Sequence, residues 1–176
     1  TTGGDSAIGY FVSDVDRAGR FSMLGEAQAL AFGDPRYLGY LAASSFTRGF
    51  PVPARQLNAA FLALPAVDSQ ILPGAASDDE VIVRSYETAK HGTFLAIVNT
   101  AMTPKSDVVI TLPSADLAAT DRVTMQALPV TDDSLTVSLA VAGVLAVQLL
   151  PDAGVEDPLG GDRGDTNCAC STGAAP

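Results

Sequence analysis

The run Thr-Phe-Leu-Ala-Ile-Val-Asn at residues 93–99 is dense in side chains that favour extended backbone. Residues 90–92, Lys-His-Gly, come directly before it and have the composition of a turn. Before that turn, residues 81–86 alternate in side-chain type with a period of two, which is typical of a strand. The region therefore predicts two consecutive β-strands with a turn between them.

Further segments with strand-forming composition follow at intervals of about 8–12 residues, separated by proline, glycine and aspartate. They are residues 107–112, 122–128, 134–139 and 144–150. Because no intervening segment between residues 79 and 150 is long enough for a helical crossover, we expect antiparallel pairing. Residues 68–150 are therefore predicted to form an antiparallel β-sandwich.

The first 67 residues show helical spacing of apolar side chains after one apolar run at residues 7–12, which predicts a buried strand. Three helices are predicted next, with N-terminal signals at Ser22, Asp34-Pro35 and Pro53 and C-terminal signals at Gly33, Gly49 and Pro65. The predicted fold class is thus α+β, with a helical N-terminal segment (residues 1–67) before the sandwich (68–150). Residues 151–176 are acidic and glycine-rich, which predicts a disordered tail.

Composition excludes some classes of function. The net charge is −10, whereas a nucleic-acid partner requires clustered lysine and arginine, so none is expected. The most apolar run, residues 139–150, is about half the roughly 20 residues that span a bilayer, so no membrane span is expected. The first residues show no signal peptide, and we expect that Thr1 is not the natural start.

Two cysteines, Cys168 and Cys170, lie in the tail with one residue between them. This spacing makes them poor disulfide partners for each other. They are also two ligands short of a tetrahedral zinc site, and His91 is the only histidine. The sequence therefore predicts no metal site and no cofactor.

Three polar residues, Asp14, Asp16 and Arg17, directly follow the predicted buried strand, where barrel enzymes place their working loops. We interpret them as a substrate-binding rim for sugars. The Asp14-x-Asp16 spacing also begins like a calcium loop, but glycine (Gly25) stands where such a loop needs a glutamate, so a solvated loop is favoured. Paired carboxylates including Glu26 would suit acid–base work on a glycosidic bond, but spacing alone assigns no such role.

A family resemblance is carried by residues 94–100, Phe-Leu-Ala-Ile-Val-Asn-Thr, and by residues 108–113, Val-Val-Ile-Thr-Leu-Pro. Together they resemble the C-terminal β-sandwich that follows the catalytic barrel in many bacterial glycoside hydrolases. The resemblance implies that residues 8–61 correspond to the last strand and helices of a β/α barrel. Residues 168–173 resemble the cysteine-containing start of a cell-surface sorting tail found in myxobacterial proteins.

The resemblance implies a secreted or cell-surface protein whose contribution to glycoside hydrolysis is structural, with unknown catalytic residues. The expected partners are the remainder of a larger polypeptide or a companion chain, and a glycan. Two alternatives stay open: a non-catalytic cell-surface or carbohydrate-binding sandwich module, and an autonomous small enzyme. The sandwich has only Tyr86 and Phe94 as aromatic residues, which argues against exposed aromatic platforms for sugars.

Overall fold

The structure is a computed structural model that describes residues 19–36, 52–114 and 116–151. A short 3-10 helix, Gly19–Met23, leads into helix α1 (Leu24–Phe32), and helix α2 spans Val52–Leu62. Nine strands follow in these described ranges: β1 (Ser69–Ile71), β2 (Val81–Thr88), β3 (Gly92–Asn99), β4 (Lys105–Thr111), β5 (Leu117–Asp121), β6 (Gln126–Leu128), β7 (Val130–Thr131), β8 (Ser134–Leu139) and β9 (Val144–Pro151).

The strands form two sheets. The larger sheet has the order β1-β2-β3-β9-β5-β6, and the smaller one has the order β4-β8-β7. Each pair of neighbouring strands in these sheets is antiparallel. The α+β class with antiparallel sheets is therefore confirmed.

The core between the two sheets follows from side-chain alternation along the strands. Val81 and Val83 of β2 and Leu95 and Ile97 of β3 are buried on the face that meets the smaller sheet. Their neighbours there include Ile110 of β4, which is fully buried. Each such side chain contributes about 1.5–3 kcal/mol by leaving water.

A second core lies on the opposite face of the larger sheet, where the helices pack. Ala96 and Val98 of β3 contact the layer formed by residues such as Ala27, Leu30 and Leu57. The molecule thus has three layers in the described region: helices, large sheet and small sheet. Strand β3 is buried on both faces, which explains why its sequence is apolar without interruption from Phe94 to Val98.

Glycine is required at position 92, where β3 begins directly after the turn from β2. Gly92 has a φ of +73°, and a Cβ atom there would lie 2.3 Å from the carbonyl oxygen of Leu149. The left-handed backbone and the close approach of β9 both exclude a side chain. The predicted turn is confirmed, at residues 89–91, one residue earlier than expected.

The predicted strand at residues 122–128 is wrong in its first half. Strand β5 ends at Asp121, and the next four residues turn the chain into β6. The cause is Asp121, whose Oδ1 accepts a hydrogen bond from the Val123 amide at 2.9 Å and whose Oδ2 accepts one from the Thr124 hydroxyl at 2.6 Å. This local bonding favours a turn over continued strand.

The predicted helix at residues 22–33 exists, but Ser22 does not cap it. The Ser22 hydroxyl donates to the Gly19 carbonyl at 2.6 Å, and the α-helix begins only after Met23, which provides no side-chain cap. The helix predicted to start at Pro53 is confirmed, with Pro53 in its first turn. Neither described helix is long and apolar enough to cross a bilayer.

Several predictions concern residues outside the described ranges. These are the strand at residues 7–12, most of the second predicted helix, and the tail beyond residue 151 with its two cysteines.

Candidate functional site

The seam between the helices and the larger sheet contains a buried arginine. Arg84 of β2 is 5% exposed, and it lies on the sheet face that the helices cover. Its Nε donates to the Ser69 hydroxyl at 2.8 Å, and its Nη1 donates to the Ala31 carbonyl at 3.1 Å. Since Ala31 is in the last turn of α1, the cation also faces the negative end of the helix dipole. Arg84 thus attaches the end of α1 to the sheet.

Asp34, in the segment after α1, also interacts with Arg84 and Ser69. Its Oδ1 accepts a hydrogen bond from the Ser69 hydroxyl at 2.6 Å and lies 3.7 Å from Nη2 of Arg84. The Ser69 hydrogen bond is the main reason that the pKa of Asp34 lies below its ordinary value, and the charges of Arg84 and Arg36 act in the same direction. Asp34 is therefore a carboxylate at neutral pH and serves as an ion-pair partner, not as a proton donor.

Tyr86 lies on the same face of β2, two residues after Arg84, and is 2% exposed. Its hydroxyl has no hydrogen-bond partner within the described part of the chain. Burial raises the pKa of Tyr86, while the nearby Ser69 hydroxyl and Arg84 guanidinium oppose that shift without reaching hydrogen-bond geometry. The phenol stays neutral at physiological pH, and its ring lines a cavity of about 200 Å³ beside Phe61 and Leu64.

A larger cavity of about 250 Å³ lies at the other end of the seam. One wall comes from the helical layer and carries Arg20 and Gln56, joined by a hydrogen bond from the Arg20 guanidinium to the Gln56 side-chain oxygen. The opposite wall comes from the sandwich and carries Asp121, which is 9% exposed. This cavity brings donors and an acceptor together around one opening.

The residues that the sequence predicted for substrate binding, Asp14, Asp16 and Arg17, lie outside the described residues. Glu26 is exposed on the first turn of α1. His91 is an exposed residue of the β2–β3 turn, where its amide donates to the Thr88 hydroxyl at 3.0 Å. No three His, Cys, Asp or Glu side chains converge as metal ligands within the described ranges.

Sequence reasoning did not identify Arg84 or Asp121. A signal for Arg84 was present, because it shares a strand face with Ile82 and Tyr86, where a charge is unexpected unless it is paired. The partners of Arg84 lie 15 and 53 residues away in sequence, so spacing did not reveal them. No model of a protein family matches the chain, and a search of curated proteins gives no significant match.

Proposed function

We propose that the chain is the C-terminal structural portion of an extracellular glycoside hydrolase that acts on polysaccharides or oligosaccharides. In this proposal the helices complete the catalytic barrel and the β-sandwich supports it. The chemistry belongs to the rest of the enzyme. The proposal starts from the resemblance of residues 94–100 and 108–113 to such C-terminal sandwiches.

The observation that best supports it is the exposure of large apolar side chains on the described helices. Large apolar side chains remain exposed there: Phe32 is 61% exposed, Leu62 is 72% exposed and Val52 is 52% exposed. Helix α1, with the sequence LGEAQALAF, has only two polar side chains, Glu26 and Gln28, so apolar residues cover most of its circumference. Helices of this kind are usually buried on all sides, so the surface suits packing against further protein.

The resemblance motif has a structural role that agrees with this proposal. Asn99 is fully buried, and its Nδ2 donates to the carbonyls of Thr103 at 2.8 Å and Ala140 at 2.9 Å. Its Oδ1 accepts from the Ala101 amide at 2.9 Å. A Val-Asn-Thr sequence at the end of β3 therefore joins the β3–β4 loop to the β8–β9 turn, which gives the motif a reason independent of catalysis.

The test is to recover the native protein by pull-down and to identify it, together with any companion chain, by mass spectrometry. We expect the chain within a larger polypeptide or together with a companion chain that has glycosidase activity. A lone species of 18.0 kDa, without precursor or companion, would contradict the proposal.

A pair of surface variants sharpens this test. Phe32→Ser and Leu62→Ser change the exposed helical surface and should weaken recovery of the companion region. Met102→Ser changes a side chain that is 68% exposed on the sandwich, and we expect it to leave recovery unchanged. Equal recovery with all three variants would show that the helical surface is not the contact.

A second candidate function is a carbohydrate-binding or cell-surface module that acts without a catalytic partner. The cavity between Arg20 and Asp121 favours it, because polar side chains around a concave opening suit a hydroxylated ligand. Binding of the isolated chain on a glycan array would support this module over the structural role. A folded chain that binds no glycan would count against it.

A further inference from the structure

The cavity at the seam between the helices and the sandwich takes its polar groups from two layers, with Arg20 and Gln56 on the helical side and Asp121 on the sandwich side. Its volume is about 250 Å³. We propose that it is a binding site for one neutral sugar ring or a polyol of the same size. The proposal rests on and deepens the second candidate function, and it is independent of the structural role in a hydrolase. Recovery of a companion chain tests that structural role, whereas hexose binding tests this cavity.

The helical wall supplies hydrogen-bond donors. The Arg20 guanidinium uses one N–H group on the Gln56 side-chain oxygen and keeps others for a ligand. The same bond orients the Gln56 amide, so its NH2 group is the free end of that side chain among the described contacts. Two donor groups are thus held together on one side of the opening.

The sandwich wall supplies acceptors. Each carboxylate oxygen of Asp121 accepts one hydrogen bond, from the Val123 amide or the Thr124 hydroxyl, and each retains capacity for another. These two internal bonds hold the carboxylate in place before any ligand arrives. A prepositioned acceptor loses less conformational freedom on binding than a mobile one.

The balance of charge in the cavity selects the class of ligand. Arg20 and Asp121 line the same cavity, yet neither belongs to the ion pairs found among the described residues. An anion would meet the Asp121 carboxylate, and a cation would meet the Arg20 guanidinium. A purely apolar ligand would remove water from both charges without replacing its hydrogen bonds. A neutral ligand with several hydroxyl groups satisfies both walls.

The remaining lining and the volume agree with a single ring. Met23, Leu57 and Ala142 are buried apolar residues that line the cavity, and they suit the C–H face of a sugar. The volume is slightly below the range of roughly 300–1,000 Å³ in which drug-sized ligands bind. A longer glycan would have to extend through the open side.

In the experiment, the full chain is titrated with glucose, galactose, glucuronate and glycine, and binding is measured by calorimetry and by ligand-observed NMR. We expect a neutral hexose to bind and the anionic glucuronate to bind more weakly or not at all. Glycine is the competing ligand class, because its carboxylate could pair with Arg20 and its ammonium group with Asp121. Arg20→Gln and Asp121→Asn should each weaken hexose binding by about tenfold, the effect of losing one charge-assisted hydrogen bond.

Two further variants keep the test decisive. Gln56 is exposed on the helical wall, so Gln56→Ala should weaken hexose binding without affecting the fold. Arg55→Gln removes a neighbouring exposed charge that does not line the cavity, and hexose binding should be unchanged. The proposal is overturned if no hexose binds, if glucuronate or glycine binds more tightly, or if Gln56→Ala and Arg20→Gln leave hexose affinity as it is.

Discussion

Arg84 shows how one charged residue can be accommodated inside an apolar seam. Its guanidinium donates to Ser69 and to the Ala31 carbonyl, and Asp34 provides a nearby opposite charge. Contacts from three different segments therefore offset the free-energy cost of removing the Arg84 guanidinium from water. A lysine has too few fixed donors to reproduce this geometry.

Replacing Arg84 with methionine keeps an unbranched apolar stem and removes the guanidinium with its charge. We expect the free energy of unfolding to fall by about 3 kcal/mol, because the Ala31 carbonyl and the Ser69 and Asp34 groups lose their buried partner. Urea denaturation measures the change. Arg55→Met, on the exposed side of α2, is the control and should change stability by less than about 0.5 kcal/mol. A similar small effect at Arg84 would contradict this account.

Asp34 makes stability depend on acidic pH. Its folded-state pKa lies below the unfolded value of about 3.9, so its contribution is present above that pH and is lost as pH falls through the folded pKa. We expect Ser69→Ala to flatten the loss of stability on acidification, because the Ser69 hydrogen bond is the main cause of the lowered pKa.

Urea midpoints measured across acidic pH give this slope for wild type and variant. Ser134→Ala is a matched control, since the Ser134 hydroxyl donates to the Thr131 carbonyl and makes no hydrogen bond to a carboxylate among the described residues. Identical slopes for Ser69→Ala and wild type would show that Asp34 is not held in its charged form by Ser69.

Strands and turns differ in how much of their position can be read from sequence. Strands β2, β3, β8 and β9 were predicted because each is long enough to show alternation or a continuous apolar run. Strands β1 and β7 have three and two residues, which is too short for any period. The β5–β6 turn was missed because Asp121 redirects the chain through bonds to residues two and three positions later.

Two glycines with left-handed backbone, Gly74 and Gly92, allow the cost of backbone strain to be measured apart from the cost of a steric clash. Gly92 and Gly74 have φ angles of +73° and +71°, but an added Cβ would meet the Leu149 carbonyl oxygen at 2.3 Å only at position 92. We expect Gly74→Ala to cost about 1 kcal/mol from strain alone. Gly92→Ala should cost clearly more, because β9 must move as well. Thermal or urea unfolding of both variants tests this, and equal losses would contradict the close contact.

The candidate site was the least predictable part of the molecule. Asp14, Asp16 and Arg17 were chosen because they follow an apolar run, and their role stays a prediction. The two cavities arise where separate segments meet, as between Arg20 on the helical side and Asp121 on the sandwich, about a hundred residues apart. Patterns in a single sequence describe neighbours along the chain, so they do not predict contacts between segments that are far apart in sequence.

At the scale of the whole molecule, strand β3 joins the two cores. One face of β3 packs into the sandwich through Leu95 and Ile97, and the other packs under the helices through Ala96 and Val98. Neither core can lose its packing without exposing one face of this strand. The helical layer and the sandwich are therefore expected to unfold together.

Two core variants test this coupling. Leu30→Ala removes a 2% exposed side chain under the helices, and Leu135→Ala removes a 1% exposed one between the sheets. Each should cost about 2–5 kcal/mol through lost burial and the cavity left behind. We expect one shared transition when helix loss is followed by circular dichroism and sandwich loss by hydrogen exchange at β8 amides. If Leu30→Ala instead releases the helices while β8 stays protected, the two cores are independent, and the sandwich is then the smallest unit that folds.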